Sequence, residues 1–186
     1  MLIHKGTQRI ETPRLILRRA IPEDAEPMFR NWTSDPEVTK YLTWPTHENQ
    51  ETTDFVLNLW LADYDKPVYY QWMIVPRELG EPIGTISVVR LEDKVGEAEI
   101  GYCIGRNWWH RGFVSEALSA VIDFLFAEVG MDRVSATHDV NNPNSGAVMR
   151  KCGMKYEGTK AASGRNNQGI CDLAQYAIAR ENWKTM

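Results

Sequence analysis

Within residues 97–140, the strongest helical pattern of the chain lies between two short segments that resemble strands in composition. Residues 115–129 carry apolar side chains at helical spacing, and Gly130 follows them as a C-terminal stop. The flanking residues 97–104 and 133–140 have the composition of strands. Strand, helix and strand in this order predict a central β-α-β crossover, which most of the other elements must be arranged around.

The remaining segments predict further strands and helices on both sides of this crossover. Strands are expected at residues 14–19, 69–75, 83–91 and 173–179. Helix starts are expected at Pro22, at Asp35 and at Thr46, and a short helix at residues 145–152. The helix after Thr46 is predicted to bury a stripe formed by Phe55, Val56, Leu59 and Trp60.

The resulting order is β-α-α-β-β-β-α-β-α-β-β, without a repeat or a linker. We therefore expect an α+β fold in a single domain over residues 1–186, with a mixed, largely antiparallel twisted sheet flanked by helices.

Composition excludes several classes of protein. The 25 acidic and 21 basic residues give a net charge of −4, which does not suit a dedicated nucleic-acid binder. No apolar run is long enough to cross a membrane, and the first residues lack the apolar core of a secretory signal. The 3 cysteines form no CxxC pair, and the 4 histidines have no metal-ligand spacing. These observations predict a cytoplasmic protein without a metal.

The loop before the crossover helix has features of an anion site. Gly112 allows close backbone approach, and the N–H groups of residues 111–115 converge at a helix start. Such an arrangement binds phosphate or pyrophosphate, and Arg111 adds a charged contact. An ordinary connecting loop is the alternative. The loop matches neither GxxxxGK[ST] nor GxGxxG, so nucleoside-triphosphate and dinucleotide sites are not expected.

A second polar segment, residues 139–154, joins the following strand to a short helix. It contains Asn141, Asn142, Asn144 and Ser145. These side chains either cap the helix locally or form a polar shelf for a ligand at the carboxyl end of the strand. The residues alone leave both interpretations open.

Together, the two segments resemble the acetyl-CoA signature of the GNAT superfamily of N-acetyltransferases. The shared pattern is Arg111-Gly112 before a helix, then Asn142, Ser145, Lys151 and Gly153-Met154 after the next strand. Other segments are similar to the ribosomal-protein N-terminal acetyltransferases of the Rim type: residues 11–18, 23–25, 35–38 and 98–102, with Asp172, Tyr176 and Trp183. The resemblance covers nearly the whole chain and implies a GNAT-like fold with acetyl-CoA as co-substrate.

The resemblance also implies roles for particular residues. The pantetheine arm of the coenzyme would pair with the backbone of Tyr102, Cys103 and Ile104. The pyrophosphate would be held by the N–H groups of Arg111, Gly112, Phe113, Val114 and Ser115. Asn142 would hydrogen-bond the arm, and Ser145 occupies the position proposed to protonate the departing thiolate. Val114 and Trp109 depart from the family pattern, but both keep their backbone N–H groups.

Transfer of an acetyl group to a primary amine requires a base, because the amine must lose a proton before it attacks. Glu99 is the candidate, since it lies on the strand beside the expected acyl group and can act through a water molecule. An exposed strand residue without a catalytic role is the alternative.

The acceptor groove is expected in the irregular region between the first helices. Trp32 and Trp44 are candidates to line it, and Asp35, Glu37 and Glu48 would give it negative charge. The resemblance favours a protein or peptide α-amino group as acceptor. A small amine (polyamine, amino acid, amino sugar or antibiotic) and a non-catalytic acyl-CoA-binding regulatory module are the alternatives, and a homodimer is compatible with the sequence.

Overall fold

The structure, a computed structural model, describes residues 2–183. Its strands are β1 (Ile10–Glu11), β2 (Leu15–Arg18), β3 (Gln71–Pro76), β4 (Gly84–Glu92), β5 (Glu97–Ile104), β6 (Arg133–Asp139), β7 (Lys155–Asn166) and β8 (Gly169–Ala179). Its helices are α1 (Ala25–Met28), α2 (Pro36–Thr39), α3 (Gln50–Asp63), α4 (Phe113–Phe124) and α5 (Pro143–Lys151). Wider helical turns extend α1 over Phe29–Thr33 and α4 over Leu125–Val129. Gly130 ends the latter with a φ of 89°, as its sequence position predicts.

The described strands form one sheet in the order β1-β2-β3-β4-β5-β6-β8-β7. Only β5 and β6 pair in parallel, because α4 crosses over between them, and the other neighbouring strands are antiparallel. The prediction of a mixed, largely antiparallel sheet around one β-α-β crossover is confirmed. The boundaries predicted for β5 are also those of the structure.

The parallel pairing of β5 and β6 is short. It runs from Glu97–Arg133 to Glu99–Ser135. Beyond this point β5 stays paired with β4 as far as Ile104, and β6 stays paired with β8 as far as Asp139. The two parallel strands therefore diverge toward their carboxyl ends and leave a gap in the middle of the sheet.

The sheet separates two apolar clusters. On one face, α4 buries Ala117, Leu118 and Val121 against side chains of the central strands such as Ala98 and Ile100. On the other face, the segments around α1 and α3 pack Met28, Trp32 and Leu57 against Met73 and Val75 of β3. The larger cluster fixes α4 against β5, so it also fixes the start of α4 beside the gap.

The start and the buried face of α3 differ from the sequence expectation. The N-cap is Asn49 rather than Thr46, and its side chain accepts a hydrogen bond from the Thr52 N–H. Phe55 and Leu59 are 64% and 52% exposed, so the predicted stripe is wrong for these two residues, whereas Val56 and Trp60 are half-buried and Trp60 packs against the second cluster. The helix instead buries Thr53 and Leu57, which lie on a different face.

Two strands were not located by the sequence analysis. β1 contributes only two residues to the pairing with β2. β7 was expected only as an unplaced strand before the last one, because most of its side chains are polar or small. It is the edge strand of the sheet and is exposed along most of its length, so it lacks the apolar alternation that identifies a strand. No described helix combines the length and apolarity that crossing a membrane requires.

Gly146 tests the packing of α5 on the sheet. A Cβ at this position would lie 2.6 Å from Nε2 of His138 on β6, so a side chain forces the helix away. Gly146→Ala is expected to destabilise the fold by about 1–3 kcal/mol, lowering Tm by about 3–9 °C in a thermal melt. Ala147→Ser, at an exposed position on the same helix, is the control and should change Tm by less than about 2 °C. An unchanged Tm for Gly146→Ala would show that α5 does not pack this closely.

Candidate active site

A cleft of about 560 Å³ opens where β5 and β6 diverge. Its walls come from the end of β5, the loop into α4, the start of α5, and α2 with the residues that follow it. The wall residues include Glu37, Lys40, Tyr41, Leu42, Tyr102, Cys103, Ile104, Trp109, His110, Gly112, Phe113, Val114, Ser115, Asn142, Ser145 and Lys151. The cleft therefore brings together most of the coenzyme-binding residues predicted from the sequence.

The register of β5 decides which backbone groups face the gap. The Gly105 N–H donates to the Ile83 carbonyl at 2.8 Å, and hydrogen bonding alternates along an antiparallel pair. Cys103 consequently bonds to β4, whereas the backbone groups of Tyr102 and Ile104 point toward β6. The Ile104 carbonyl accepts the Trp109 indole N–H at 2.9 Å, which leaves the Ile104 N–H facing the gap. Of the three residues expected to pair with the pantetheine arm, Tyr102 and Ile104 present their backbone groups to the gap.

The phosphate loop, defined here as residues 110–115, begins α4. Gly112 adopts a φ of 77°, a left-handed conformation that favours glycine, and the backbone then turns into the helix. The N–H groups of the first helical turn have no acceptor within their own helix, and the helix dipole favours an anion there. The arrangement is that of the predicted pyrophosphate site.

Two cations are placed near this loop. The Arg111 side chain is exposed and lies outside the cleft wall, and its contact with a phosphate stays a prediction. Lys151 lies in the wall instead, with its Nζ 3.6 Å from the position of a Cβ on Gly112. The sequence pattern contained Lys151 but gave no reason to assign it a role, because the turn of α5 that carries it is distant in sequence.

Asn142 and Ser145 lie at the start of α5. Asn142 is the N-cap residue, yet its side chain makes no capping hydrogen bond and is available to a ligand in the cleft. The Ser145 hydroxyl lies 2.9 Å from the Tyr102 hydroxyl, which also donates to the Ser145 carbonyl at 3.0 Å. Burial raises the pKa of Tyr102, so its hydroxyl remains protonated at neutral pH.

Glu99 lies on β5 just before the point at which β5 and β6 diverge. Its carboxylate accepts hydrogen bonds from Arg90 Nε at 2.9 Å and from the Thr137 hydroxyl at 3.2 Å. It lies outside the cleft wall. A proton from an amine in the cleft could therefore reach Glu99 only through a water molecule, as the sequence predicts. Cys103 does lie in the wall, and burial raises the pKa of its thiol, which keeps that thiol neutral.

The end of the cleft beside α2 is lined by Tyr41, Leu42 and Lys40, which the sequence did not indicate, and by Glu37, which it did. Trp32 is fully buried in the second apolar cluster, so it supports this region from below and cannot line the groove. Trp44 is half-buried on the loop that carries Tyr41 and Leu42, but it lies outside the cleft wall. The centre of its ring is 5.5 Å from the centre of the His47 ring.

The two other acidic residues expected in the groove are used or placed differently. Asp35 caps α2 by accepting from the Glu37 N–H at 3.0 Å, and its other oxygen pairs with Arg106 at 3.1 Å. Glu48 is exposed and outside the cleft wall. Glu37 is the one carboxylate among these three that faces the cleft.

The turn between β7 and β8 fastens the loop after α2 (residues 40–48), called the acceptor loop below because the acceptor is proposed to bind there. Asn167 donates from its side chain to the carbonyls of Thr39 and Trp44, both at 2.8 Å, and from its backbone to that of Leu42 at 3.2 Å. The preceding Asn166 donates to the Asp139 carboxylate at 2.7 Å, at the end of β6. These bonds hold the loop after α2 against the far side of the cleft.

Residues 2–183 contain no group of three or more His, Cys, Asp or Glu side chains arranged to hold a metal ion. Cys103, Cys152 and Cys171 are all free thiols.

The acetyltransferase (GNAT) domain model matches residues 14–155 of the chain. The chain belongs to the GNAT acetyltransferase family. Because its fold and cleft agree with this membership, the protein is an N-acetyltransferase that uses acetyl-CoA, and the non-catalytic alternative is not favoured.

Individual relatives agree with the family match. This GNAT protein is 33% identical to the uncharacterized N-acetyltransferase YoaA of Bacillus subtilis, over 92% of the chain and 96% of that protein. It is 32% identical to the ribosomal-protein-serine acetyltransferase of Escherichia coli, over 52% of the chain and 54% of the relative. The structure of the ribosomal-protein α-N-acetyltransferase RimL in complex with coenzyme A has the same fold, with a TM-score of 0.82 and 21% identity over 92% of this chain and 98% of that one.

Gly112 tests whether the phosphate loop binds the coenzyme. Gly112→Glu places a carboxylate and a strained backbone where the pyrophosphate is expected, so acetyl-CoA affinity should fall about 100-fold or more in a calorimetric titration. Gly80→Glu is the matched control, since Gly80 has a φ of 74° in the open turn between β3 and β4. It should bind acetyl-CoA like the wild type. Equal affinities for the two variants would place the coenzyme elsewhere.

Proposed function

We propose that this GNAT protein acetylates the α-amino group of a protein or peptide N-terminus, as a Rim-like enzyme of the cytoplasm. The observation that carries the proposal is the end of the cleft beside α2, where Glu37 and Lys40 place opposite charges next to Tyr41, with the Lys40 Nζ 5.4 Å from the centre of the Tyr41 ring. Glu37 would bind the cationic amine, and Lys40 would bind a carbonyl or carboxylate oxygen of the same peptide. The similarity of half the chain to a ribosomal-protein-serine acetyltransferase supports this class of acceptor.

The cleft fits acetyl-CoA by its donor set. The N–H groups of the phosphate loop and Lys151 would hold the pyrophosphate, with Phe113, Val114 and Ser115 in the first turn of α4. The backbone of Tyr102 and Ile104 would pair with the pantetheine arm, and the Asn142 amide would bind it from the opposite side. When bound, acetyl-CoA supplies an acetyl group activated as a thioester.

Ser145 is proposed to hold a proton for the leaving sulfur. Because Tyr102 donates its one hydroxyl proton to the Ser145 carbonyl, the Ser145 hydroxyl is the donor in its 2.9 Å contact with the Tyr102 oxygen. Tyr102 thus holds the Ser145 hydroxyl in place, and Ser145 would turn its proton from the Tyr102 oxygen to the sulfur. Tyr102 is thus assigned a positioning role in addition to its backbone contact. The Ile104 N–H faces the gap and is the candidate donor to the thioester oxygen as negative charge develops on it.

Glu99 remains the proposed base. It would accept the proton of the amine through a water molecule, while Arg90 and Thr137 hold its carboxylate in one orientation. Glu37 is proposed to bind the ammonium form of the acceptor before this step.

A small amine is the second candidate acceptor. The observation that favours it is the fastening of the acceptor loop after α2 by Asn167, which would keep that end of the cleft from opening to admit a larger acceptor. A homodimer stays a prediction, which sedimentation velocity would test.

Ser145→Ala tests the proton donor. The variant should retain wild-type affinity for acetyl-CoA in calorimetry, because the side chain removed is small, while kcat for thiol release falls about 100-fold. Tyr102→Phe should lower kcat less. Ser163→Ala, at an exposed position on β7, is the control and should change neither quantity. A Ser145→Ala enzyme with full kcat would remove Ser145 from the mechanism.

The acceptor class is tested by comparing peptides with small amines. Octapeptides with a free N-terminal serine should give a higher kcat/KM than polyamines, amino acids or amino sugars, and Nα-blocked peptides should give no product. Glu37→Gln should raise the KM of the accepted peptide up to about fivefold, whereas Glu48→Gln should not. A higher kcat/KM for a small amine than for every peptide would establish the second candidate instead.

A further inference from the structure

We propose that Arg14 is a positioning residue for the coenzyme: it holds the phosphate loop in its binding shape and neutralises the carboxylate of Glu116 beside the pyrophosphate site. The inference rests on the proposed position of the coenzyme. Arg14 lies immediately before β2, about 100 residues from the loop in sequence, and none of the roles described so far includes it.

The Arg14 side chain contacts Arg111 and Phe113, the two residues of the phosphate loop on either side of Gly112. Its Nη1 donates to the Arg111 carbonyl at 2.9 Å. Its guanidinium carbon lies 4.6 Å from the centre of the Phe113 ring, within the range of a cation–π interaction. Between them, its Nη2 lies 3.5 Å from the position of a Cβ on Gly112. The guanidinium therefore supports the loop on both sides of the left-handed glycine.

Glu116 explains why a cation is required at this place. It lies in the first turn of α4, where the pyrophosphate is expected. Burial alone would raise the pKa of its carboxyl, but hydrogen bonds from Thr12 and Arg14, together with the charge of Arg14, bring it below the ordinary value. The group is therefore ionised at neutral pH. A carboxylate interacts favourably with a helix start, but it also repels a second anion bound there.

Arg14 compensates this charge by direct contact. Its Nε donates to one Glu116 oxygen at 2.6 Å, and its backbone N–H donates to the other at 2.9 Å. Thr12 donates to the latter oxygen at 2.6 Å. The turn between β1 and β2 thus holds the carboxylate with its charge paired, so that the positive charge of Lys151 is left for the phosphates.

The ion pair is better suited to binding than to overall stability. The Arg14 side chain is 48% exposed and that of Glu116 is 18% exposed, and pairs open to water contribute little to folding. Removing Arg14 is therefore expected to change Tm slightly but to loosen the loop and leave Glu116 unpaired. Both consequences weaken coenzyme binding.

A double-mutant cycle on the full chain measures the two parts of the proposal. Arg14→Ala should raise the Kd of acetyl-CoA about tenfold in calorimetry and raise its KM similarly, with kcat changed less than about twofold. Glu116→Gln added to Arg14→Ala should recover about threefold of this loss, because the repelling charge is gone. Arg14→Lys, which keeps the charge but loses the planar donor group, should lie between Arg14→Ala and the wild type.

Arg9→Ala is the matched control. Arg9 precedes the same turn and pairs at 2.9 Å with Glu11, away from the cleft, so its variant should keep the wild-type Kd. If Arg14→Ala does not fold, Arg14→Lys and Glu116→Gln measured separately still complete the comparison: Arg14→Lys must weaken binding, and Glu116→Gln must not.

The outcomes separate this inference from the proposed site. Loss of binding in Gly112→Glu with a Kd within twofold of wild type in Arg14→Ala would overturn the role of Arg14 and keep the site. A double variant that binds no better than Arg14→Ala would overturn the neutralising role of Arg14. Unchanged binding in Gly112→Glu would instead overturn the site on which the inference rests.

Discussion

The divergence of β5 from β6 is the constraint on which the rest of the site depends. Each strand keeps its other neighbour, so the gap does not weaken the outer parts of the sheet. The gap exposes backbone groups of β5 that a regular sheet would have paired. It also places the starts of α4 and α5 on opposite sides of one cleft, because each helix follows the carboxyl end of a diverging strand. The proposed sites for cofactor binding, proton donation and acceptor entry thus all depend on one interruption in parallel pairing.

The crossover could be predicted because its signals are local and strong. The apolar stripe of α4, the glycine after it and the strand pattern of β5 each depend on neighbouring residues alone. The cap of α2 by Asp35 is of the same kind. By contrast, α3 buries a threonine and leaves Phe55 and Leu59 in solvent. Which residues of α3 are buried depends on how the helix packs against the other face of the sheet, and the apolar residues of the helix alone do not indicate that packing.

The site was predictable where it uses backbone and a short motif, and not where it uses distant side chains. Gly112 and Ser145 could be selected from their surroundings in the chain. Tyr41 and Leu42 reach the cleft through the packing of separate elements, which no spacing in the sequence encodes. Lys151 belongs to the motif, but its position beside Gly112 depends on the packing of α5 near the start of α4. Trp32 shows the converse case, since a large aromatic residue in an irregular region suggests a ligand contact as readily as a core position. Its complete burial in the structure decides between the two.

The bonds of Asn166 and Asn167 join segments of the chain that are synthesised at different times. The loop after α2 is made early in synthesis, but the side chains that fasten it come near the end of the chain, in the turn that leads into β8. A nascent chain that stops before this turn already contains the residues of α4, α5 and the phosphate loop, but it lacks the bonds of Asn167 and also β8, the strand that pairs with β6. The last part of the chain to be made therefore completes both sides of the cleft, because it supplies the neighbour of β6 and fixes the loop after α2.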